Sequence, residues 1–413
     1  MTQKTPFGNI TSAFKANESF LILCVQVAVL HIGLGLIAPI LPLYAQTFAV
    51  SITLVGFLLT SQSIPRIFIN LPVGRWADRW GAHRTMTIAA GIVMISAVLG
   101  GLAPNYFIFL LTRLLQGVGT GMSQTSGFTY TATVSRPNTR ARYISLYQGS
   151  FLLGSGIGPV IGGVTAEYFG YRAPFFVYAV LAGLVGIWMY LRLPDPRNVD
   201  AESQARRRER PGFLVSMRQM LSNRGVVLAS LIGFVAAYNR VATRYMAIPL
   251  QGDALGFTEG QIGLALSLLF IMTFVALYFV GTLADRFGRK VVIVPSWLLT
   301  AAALIIIAVA PEYITYVAGA MFFGFVGGIG GPVPAAYIAD AADEEAQGMA
   351  IGVFRTFSDF GLVIGPIVMG WLIDHASIAV GLYINATIIS VVALAFWFFA
   401  PEPQAQQQAV GTS

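Results

Sequence analysis

Gly74-Arg75-Trp76-Ala77-Asp78-Arg79-Trp80-Gly81 returns as Gly281-Thr282-Leu283-Ala284-Asp285-Arg286-Phe287-Gly288, 207 residues later. The same offset holds outward from this stretch. Pro42-Leu43 meets Pro249-Leu250, Gly56 meets Gly263, and Gly117 meets Gly324. Gly154, Gly158, Pro159 and Gly163 meet Gly361, Gly365, Pro366 and Gly370. No gap is needed between Pro42 and Gly163. Chance matching of apolar helices gives scattered Leu and Val identities, not Gly, Pro and Asp at one register. The chain therefore reads as two homologous halves.

Each half is a series of apolar runs of the length a helix needs to cross hydrocarbon, about 20 residues. The runs fall at 18–45, 52–74, 85–104, 106–129, 142–168, 173–194, 225–250, 260–283, 291–310, 314–338, 347–373 and 379–400. In lipid every backbone polar group needs an internal partner, so these twelve spans are expected to be helices. The short alternating segments of a β-barrel are missing. Six spans return the chain to its starting side, so the two bundles run parallel, the arrangement that holds substrate near the midplane and rocks around it. The expected organisation is a six-helix bundle over 1–194, a cytoplasmic linker over 195–223, a second bundle over 224–400 and a disordered Gln/Ala-rich tail over 401–413.

Composition agrees. Charged residues are 10% of the chain, against about a quarter in soluble proteins, too few to cover a water-facing surface. The net charge of +7 is explained by loops and not by nucleic acid. The loops after spans 2, 4, 6 and 8 carry Arg75, Arg79 and Arg84; Arg136 and Arg140; Arg197, Arg206, Arg207, Arg208 and Arg210; and Arg286, Arg289 and Lys290. Loops after odd-numbered spans hold only Arg172. Basic loops face the cytoplasm, so both termini are expected there, in an inner or plasma-type membrane. The acidic loop after span 10 (Asp340, Asp343, Glu344, Glu345) weighs little in that rule. No cleavable signal is evident. Cys24 is the single cysteine, and His31, His83 and His375 are scattered. No disulfide, metal site or cofactor is expected.

The repeated loop resembles the loop 2–3 signature of the major facilitator superfamily, and the second copy is the cleaner match. The first departs from it at Trp76, Ala82 and His83. Locally, Gly74 and Gly281 would permit close helix packing, and Gly81 and Gly288 a tight turn. Asp78 and Asp285 would accept hydrogen bonds from a helix start, and Arg286, like Arg79, would stay in water. The resemblance implies that Asp78 and Arg79 brace the cytoplasmic side in one state of a transport cycle. Span 5 carries Gly154-Ser155-Gly156-Ile157-Gly158-Pro159-Val160-Ile161-Gly162-Gly163, similar to the antiporter signature of proton-coupled exporters. Gly154, Gly158 and Gly162 share one helix face and invite a neighbouring backbone. Pro159 removes a hydrogen bond and lets the helix bend. Ile32-Gly33 with Pro39 to Pro42, and Arg113 with Gln116-Gly117, resemble further motifs of the twelve-helix drug/proton antiporters.

Charge inside a membrane is costly and marks function. Arg66, Arg113, Arg240, Arg355 and Asp359 lie deep in spans, and Arg244 lies nearer the outer end. Arg66 lies about 12 Å and Asp359 about 16 Å from their span ends, at 1.5 Å per residue. The superfamily places spans 2 and 11 face to face, so one expectation is an Arg66–Asp359 pair that breaks during the cycle and lets Asp359 take a proton. The competing expectation is a static pair of Arg355 and Asp359, one turn apart. By resemblance, Arg113 partners an acid in span 1. Here that span offers Gln26 and His31 instead, and His31 either titrates or packs. Gln26, His31, Arg113, Gln116, Arg240 and Arg244 are the candidate cavity residues, and Arg244 has the alternative of reaching lipid headgroups. Met321, Phe322, Phe323 and Phe325 either line an adaptable apolar pocket or face lipid.

The expected function is secondary transport: export of small organic molecules in exchange for protons, by a monomer needing only substrate, protons and bilayer. An uptake symporter or organic-anion exchanger on the same fold is the alternative, and a non-transporting receptor a remote one. P-loop, HExxH and GxSxG motifs are missing, so neither ATP-driven transport nor an enzyme is expected. The excess of arginine over acid in the spans points away from a purely cationic substrate.

Overall fold

The computed structural model describes residues 6–134, 140–193, 224–341 and 347–401. The linker 195–223, the loop acids Asp343 to Glu345 and the tail beyond Pro401 lie outside them, as does Arg136. The described chain is helical, and no strand occurs among the described residues. Several of the twelve spans carry breaks that hydropathy did not foresee. Span 1 runs Pro6–Ile37, well before the expected start, and resumes as Leu41–Gln46 after Pro39. Span 2 is Ile52–Ser61 and Ser63–Trp80, because Pro65 has no N–H to give the Ser61 carbonyl. Span 10 breaks at Gly331-Pro332 into Tyr313–Gly330 and Val333–Ala341. Spans 3, 4, 5 and 6 are Ala82–Gly101, Tyr106–Val134, Arg140–Phe169 and Ala173–Arg192. Spans 8, 9, 11 and 12 are Glu259–Phe287, Arg289–Val309, Gln347–His375 and Ile378–Phe399.

Among the described residues, ten helices are long and apolar enough to cross a membrane; spans 2 and 4 are the two that fall short. Their polarity has a reason. They carry Gln62, Arg66, Arg113, Gln116, Ser123 and Gln124, which meet in the interior.

The chain divides into two compact units, Met1–Ala38 with Ser61–Ala201, and Pro39–Thr60 with Glu202–Ser413. In the first, span 5 lies along span 1 backbone to backbone. A β-carbon at Gly154, Gly158 or Gly162 would stand 2.2, 2.5 or 2.0 Å from the carbonyl oxygens of Ala28, Ile32 and Leu36. Successive turns of one helix thus press on successive turns of the other. The span 5 helix continues through Pro159, and Gly35 passes beside it. In the second unit, span 11 lies along span 7 in the same way, with Gly361 on the Phe234 carbonyl at 2.2 Å from an ideal β-carbon. Residues 52–60 join this unit by packing on span 11. Gly56 sits against the Pro366 carbonyl, Thr60 donates to the Val363 carbonyl at 2.8 Å, and Gly370 sits against Ile52.

The repeat is visible in these contacts. Gly117 meets the Gln62 carbonyl and Gly324 the Leu269 carbonyl, at 2.2 and 2.1 Å from an ideal β-carbon. All four positions keep the 207 offset. In span 7 the register slips by one residue. Ala28 and Ile32 pair with Phe234 and Tyr238, an offset of 206, while Pro42 still pairs with Pro249 at 207. The extra residue is a π turn over Thr243–Ala247, between Arg224–Ala242 and Ile248–Ala254. Pro249 cannot donate to the Tyr245 carbonyl, and the Ile248 N–H reaches back to Thr243. Such single wide turns are frequent at functional sites.

Candidate functional site

In the first unit the polar residues of spans 1, 2, 4 and 6 converge. Gly117 and Gly121, one turn apart on span 4, let span 2 close in at Gln62 and Arg66; a β-carbon at Gly121 would stand 3.1 Å from the Arg66 Cγ. Side chains of the two spans then lie alongside. Arg113 Nη2 donates to Gln62 Oε1 at 2.9 Å, and Nη1 donates to Gln116 Oε1. Arg66 Nη2 donates to Gln124 Oε1 at 2.9 Å. Gln26 Nε2 donates to Ser123 Oγ at 2.7 Å. Arg113 is 3% exposed, and among the described residues no carboxylate lies within ion-pair distance of it. Two amide oxygens take the place of the expected acid. Arg113 Nε, Gln116 Nε2 and Gln26 Oε1 are buried without partners among the described residues, so the network is only partly satisfied.

Tyr178 of span 6 closes this cluster. Its ring lies on Gly33, and its hydroxyl stands beside Gln116 and Arg113 without a hydrogen bond of standard geometry. His31 is nearly buried, donates from Nδ1 to the Val27 carbonyl at 2.7 Å and tilts over Phe151 with 3.9 Å between ring centroids. A bond to the previous turn with an aromatic cover is packing geometry. Sequence reasoning missed Gln62, Ser123, Gln124 and Tyr178. The glutamines were legible as polar residues in spans, whereas Tyr178 carries no signal before the fold is known.

In the second unit, span 7 presents two arginines. Arg240 sits at its middle and is solvent-accessible. Arg244 lies in the π turn, with its guanidinium 4.8 Å from the centre of the Phe270 ring. Its guanidinium thus lies against the protein. Tyr245 stands 6.2 Å from the same ring. An amide network pins the turn. Asn385 Nδ2 donates to Asn239 Oδ1 at 2.7 Å and to Thr243 Oγ1 at 2.9 Å. Asn385 is the counterpart of Tyr178 at 207, and Asn239 that of Gly33 at 206. One location thus holds ring on backbone in one half and amide on amide in the other. Arg113 and Gln116 have Ala320 and Phe323 as counterparts, so the polar cluster belongs to the first unit alone.

On span 11, Arg355 and Asp359 are both exposed. The charge of Asp359 reaches Arg240 of span 7. In the repeated loop, Gly81 and Gly288 take φ of +89° and +90° with ψ of 139° and 153°. Only glycine adopts that region readily, so both tight turns are as expected. At Gly281 a β-carbon would meet no described atom within 4 Å, so the close packing expected there is not seen. Arg286 is exposed and rests on Phe287. The side chains of Asp78, Arg79 and Asp285, and the surroundings of Gly74, lie outside the described residues. Met321 lines an apolar groove of about 280 Å³ with Leu264, Leu268, Tyr313, Ile314 and Val317, and Phe323 is buried.

The model of the Major Facilitator Superfamily matches residues 23–246 and 229–413. The chain belongs to the major facilitator superfamily. This transporter is 24% identical over 357 residues to multidrug resistance protein 2 of Bacillus subtilis, covering 86% of this chain and 88% of that one. It is 24% identical over 382 residues to the quinolone resistance protein NorA of Staphylococcus aureus, covering 91% and 95%. Among solved structures, the transporter superposes on the nucleoside transporter NupG with a TM-score of 0.77 at 15% identity, covering 92% and 98%. It superposes on a D-xylose-proton symporter with 0.73 at 17%, covering 93% and 98%. These structures share its fold.

Proposed function

We propose that the protein is a secondary active exporter that exchanges small organic molecules for protons by alternating access. The observation that carries this reading is the seating of Gly154, Gly158 and Gly162 on the span 1 backbone. The glycine and proline segment that resembles the exporter signature is also the contact on which one helix can tilt against another without side chains in the way. Relatives named for multidrug and quinolone resistance, matched over nearly their whole length, support export. The organisation that goes with it is two six-helix bundles, a cytoplasmic linker over 195–223, both termini cytoplasmic, and a monomer in the plasma membrane.

Asp359 is the proton carrier in this reading, and Arg66 its partner in one state. A carboxylate inside a span binds a proton when a cationic partner withdraws and releases it when the partner returns. Arg113, held by Gln62 and Gln116, shapes the substrate cavity from span 4, with Gln26 behind it on span 1 and His31 packed on Phe151. The repeated loop forms the cytoplasmic gate. The excess of arginine favours an organic-anion exchanger as the second reading.

The test is proton movement in everted vesicles holding a pH gradient, read with a quenched dye. Cationic, zwitterionic and anionic compounds are added to wild type and to Asp359→Asn. The reading requires a compound that collapses the gradient with wild type and not with the variant. Collapse that is equal in both removes Asp359 from the mechanism. No collapse with folded wild type removes proton exchange.

A further inference from the structure

Arg240 and Arg244 stand one turn apart on span 7, and neither has a hydrogen-bonded or ion-paired partner among the described residues. Arg240 is accessible at mid-span, and Arg244 Nε is buried without an acceptor. Charge in this position is costly unless something of opposite sign answers it. The groups facing the pair are Tyr245 and Phe270, with Asp359 acting on Arg240 from span 11. One acid against two guanidiniums leaves the group net positive. The π turn, held by Asn239, Thr243 and Asn385, fixes Arg244 on Phe270 instead of leaving it to roam.

We propose that Arg240 and Arg244 form a binding site for organic anions: a carboxylate answered by the two guanidinium forks, on a molecule whose aromatic body lies beside Phe270 and Tyr245. Guanidinium recognises carboxylate with paired, charge-assisted hydrogen bonds. The ring wall supplies apolar area and excludes the molecule's body from water. This assignment rests on the reading of the protein as a transporter of small organic molecules, but not on the direction of transport or on protons.

The experiment is equilibrium binding to the purified full-length protein in phosphatidylcholine nanodiscs, by calorimetry. The probes are naphthoate, its neutral isostere naphthamide and the cationic naphthylmethylamine. Naphthoate is expected to bind at least about tenfold more tightly than the other two, a preference worth roughly 1.4 kcal/mol. Arg240→Gln and Arg244→Gln are each expected to weaken naphthoate about tenfold and leave naphthamide unchanged. Arg244→Lys keeps the charge and loses the fork, and is expected to weaken it about threefold; it serves if the glutamine variant does not fold. Equal binding of the three probes, absence of naphthoate binding, or wild-type affinity in the variants overturns the proposal. So does loss of binding on adding phosphatidylglycerol, which would assign the arginines to lipid phosphate. Naphthoate binding without proton exchange in vesicles leaves this site standing and removes the exporter mechanism.

Discussion

The ring of Tyr178 lies so close to Gly33 that a β-carbon there would stand 1.8 Å from its Cδ2. Gly33→Ala therefore forces a fully buried ring to move, and overpacking of this kind costs about 1–3 kcal/mol. Tyr178→Phe keeps the ring and removes a buried hydroxyl that lacks a standard hydrogen bond. Thermal unfolding in detergent is expected to show a lowered midpoint for Gly33→Ala and an unchanged or raised one for Tyr178→Phe. A large loss with Phe would mean that the hydroxyl is held by Gln116 after all.

Asn385 takes Tyr178's place in the second half, and here the amide nitrogen is bonded twice. Asn385→Ala leaves Asn239 and Thr243 short of a buried donor, which costs about 1–3 kcal/mol. Its midpoint is expected to fall where that of Tyr178→Phe does not. Matching behaviour of the two variants would show that the π turn holds without the amide network.

Span 5 contains its own control. A β-carbon at Gly149 would meet no described atom within 4 Å, whereas at Gly158 it would stand 2.5 Å from the Ile32 carbonyl. Gly149→Ala is expected to be neutral or to stabilise by about 0.5–1 kcal/mol through helix propensity. Gly158→Ala is expected to sharply reduce folded yield and transport, read by gel filtration and vesicle assay. Equal tolerance of both would deny the backbone contact.

Asp374, at the end of span 11, caps the start of span 2. Its carboxylate accepts from the Ile52 and Thr53 N–H groups, both at 2.8 Å, and from the Thr53 hydroxyl at 2.5 Å. A carboxylate at an exposed helix N-terminus adds about 0.3–1 kcal/mol. Asp374→Asn removes the charge and one acceptor. Thiol labelling at Leu54→Cys, in a Cys24→Ser background, is expected to rise several-fold in that variant. An unchanged labelling rate would make the cap dispensable.

The membrane class, the spans and the repeat were legible because each is local or periodic. Lipid demands long apolar helices, and a duplicated fold keeps its glycines where backbones touch. The two spans weakest in hydropathy, 2 and 4, were legible as helices from their run length and the backbone's need for internal partners in lipid. Their polarity is the mark of what they carry. Arg113 and Gln116 were visible from their motif, but the partner Gln62 was not, because the resemblance pointed to span 1 and not to span 2.

The sequence by itself determined where the chain is apolar, where it turns, and that its halves match. Gly81 and Gly288 announce their turns, since no other residue takes that backbone comfortably. Tertiary structure alone decided the rest. The one-residue slip in span 7 is invisible to an alignment, because apolar helices have no landmark there. Only the seating of Gly361 and Gly365 on Phe234 and Tyr238 reveals it. The slip changes the helix register on one side of the π turn, and so sets how Arg240 and Arg244 are placed relative to each other. Helix identity follows from nearby residues; which side chains meet follows from how whole helices pack.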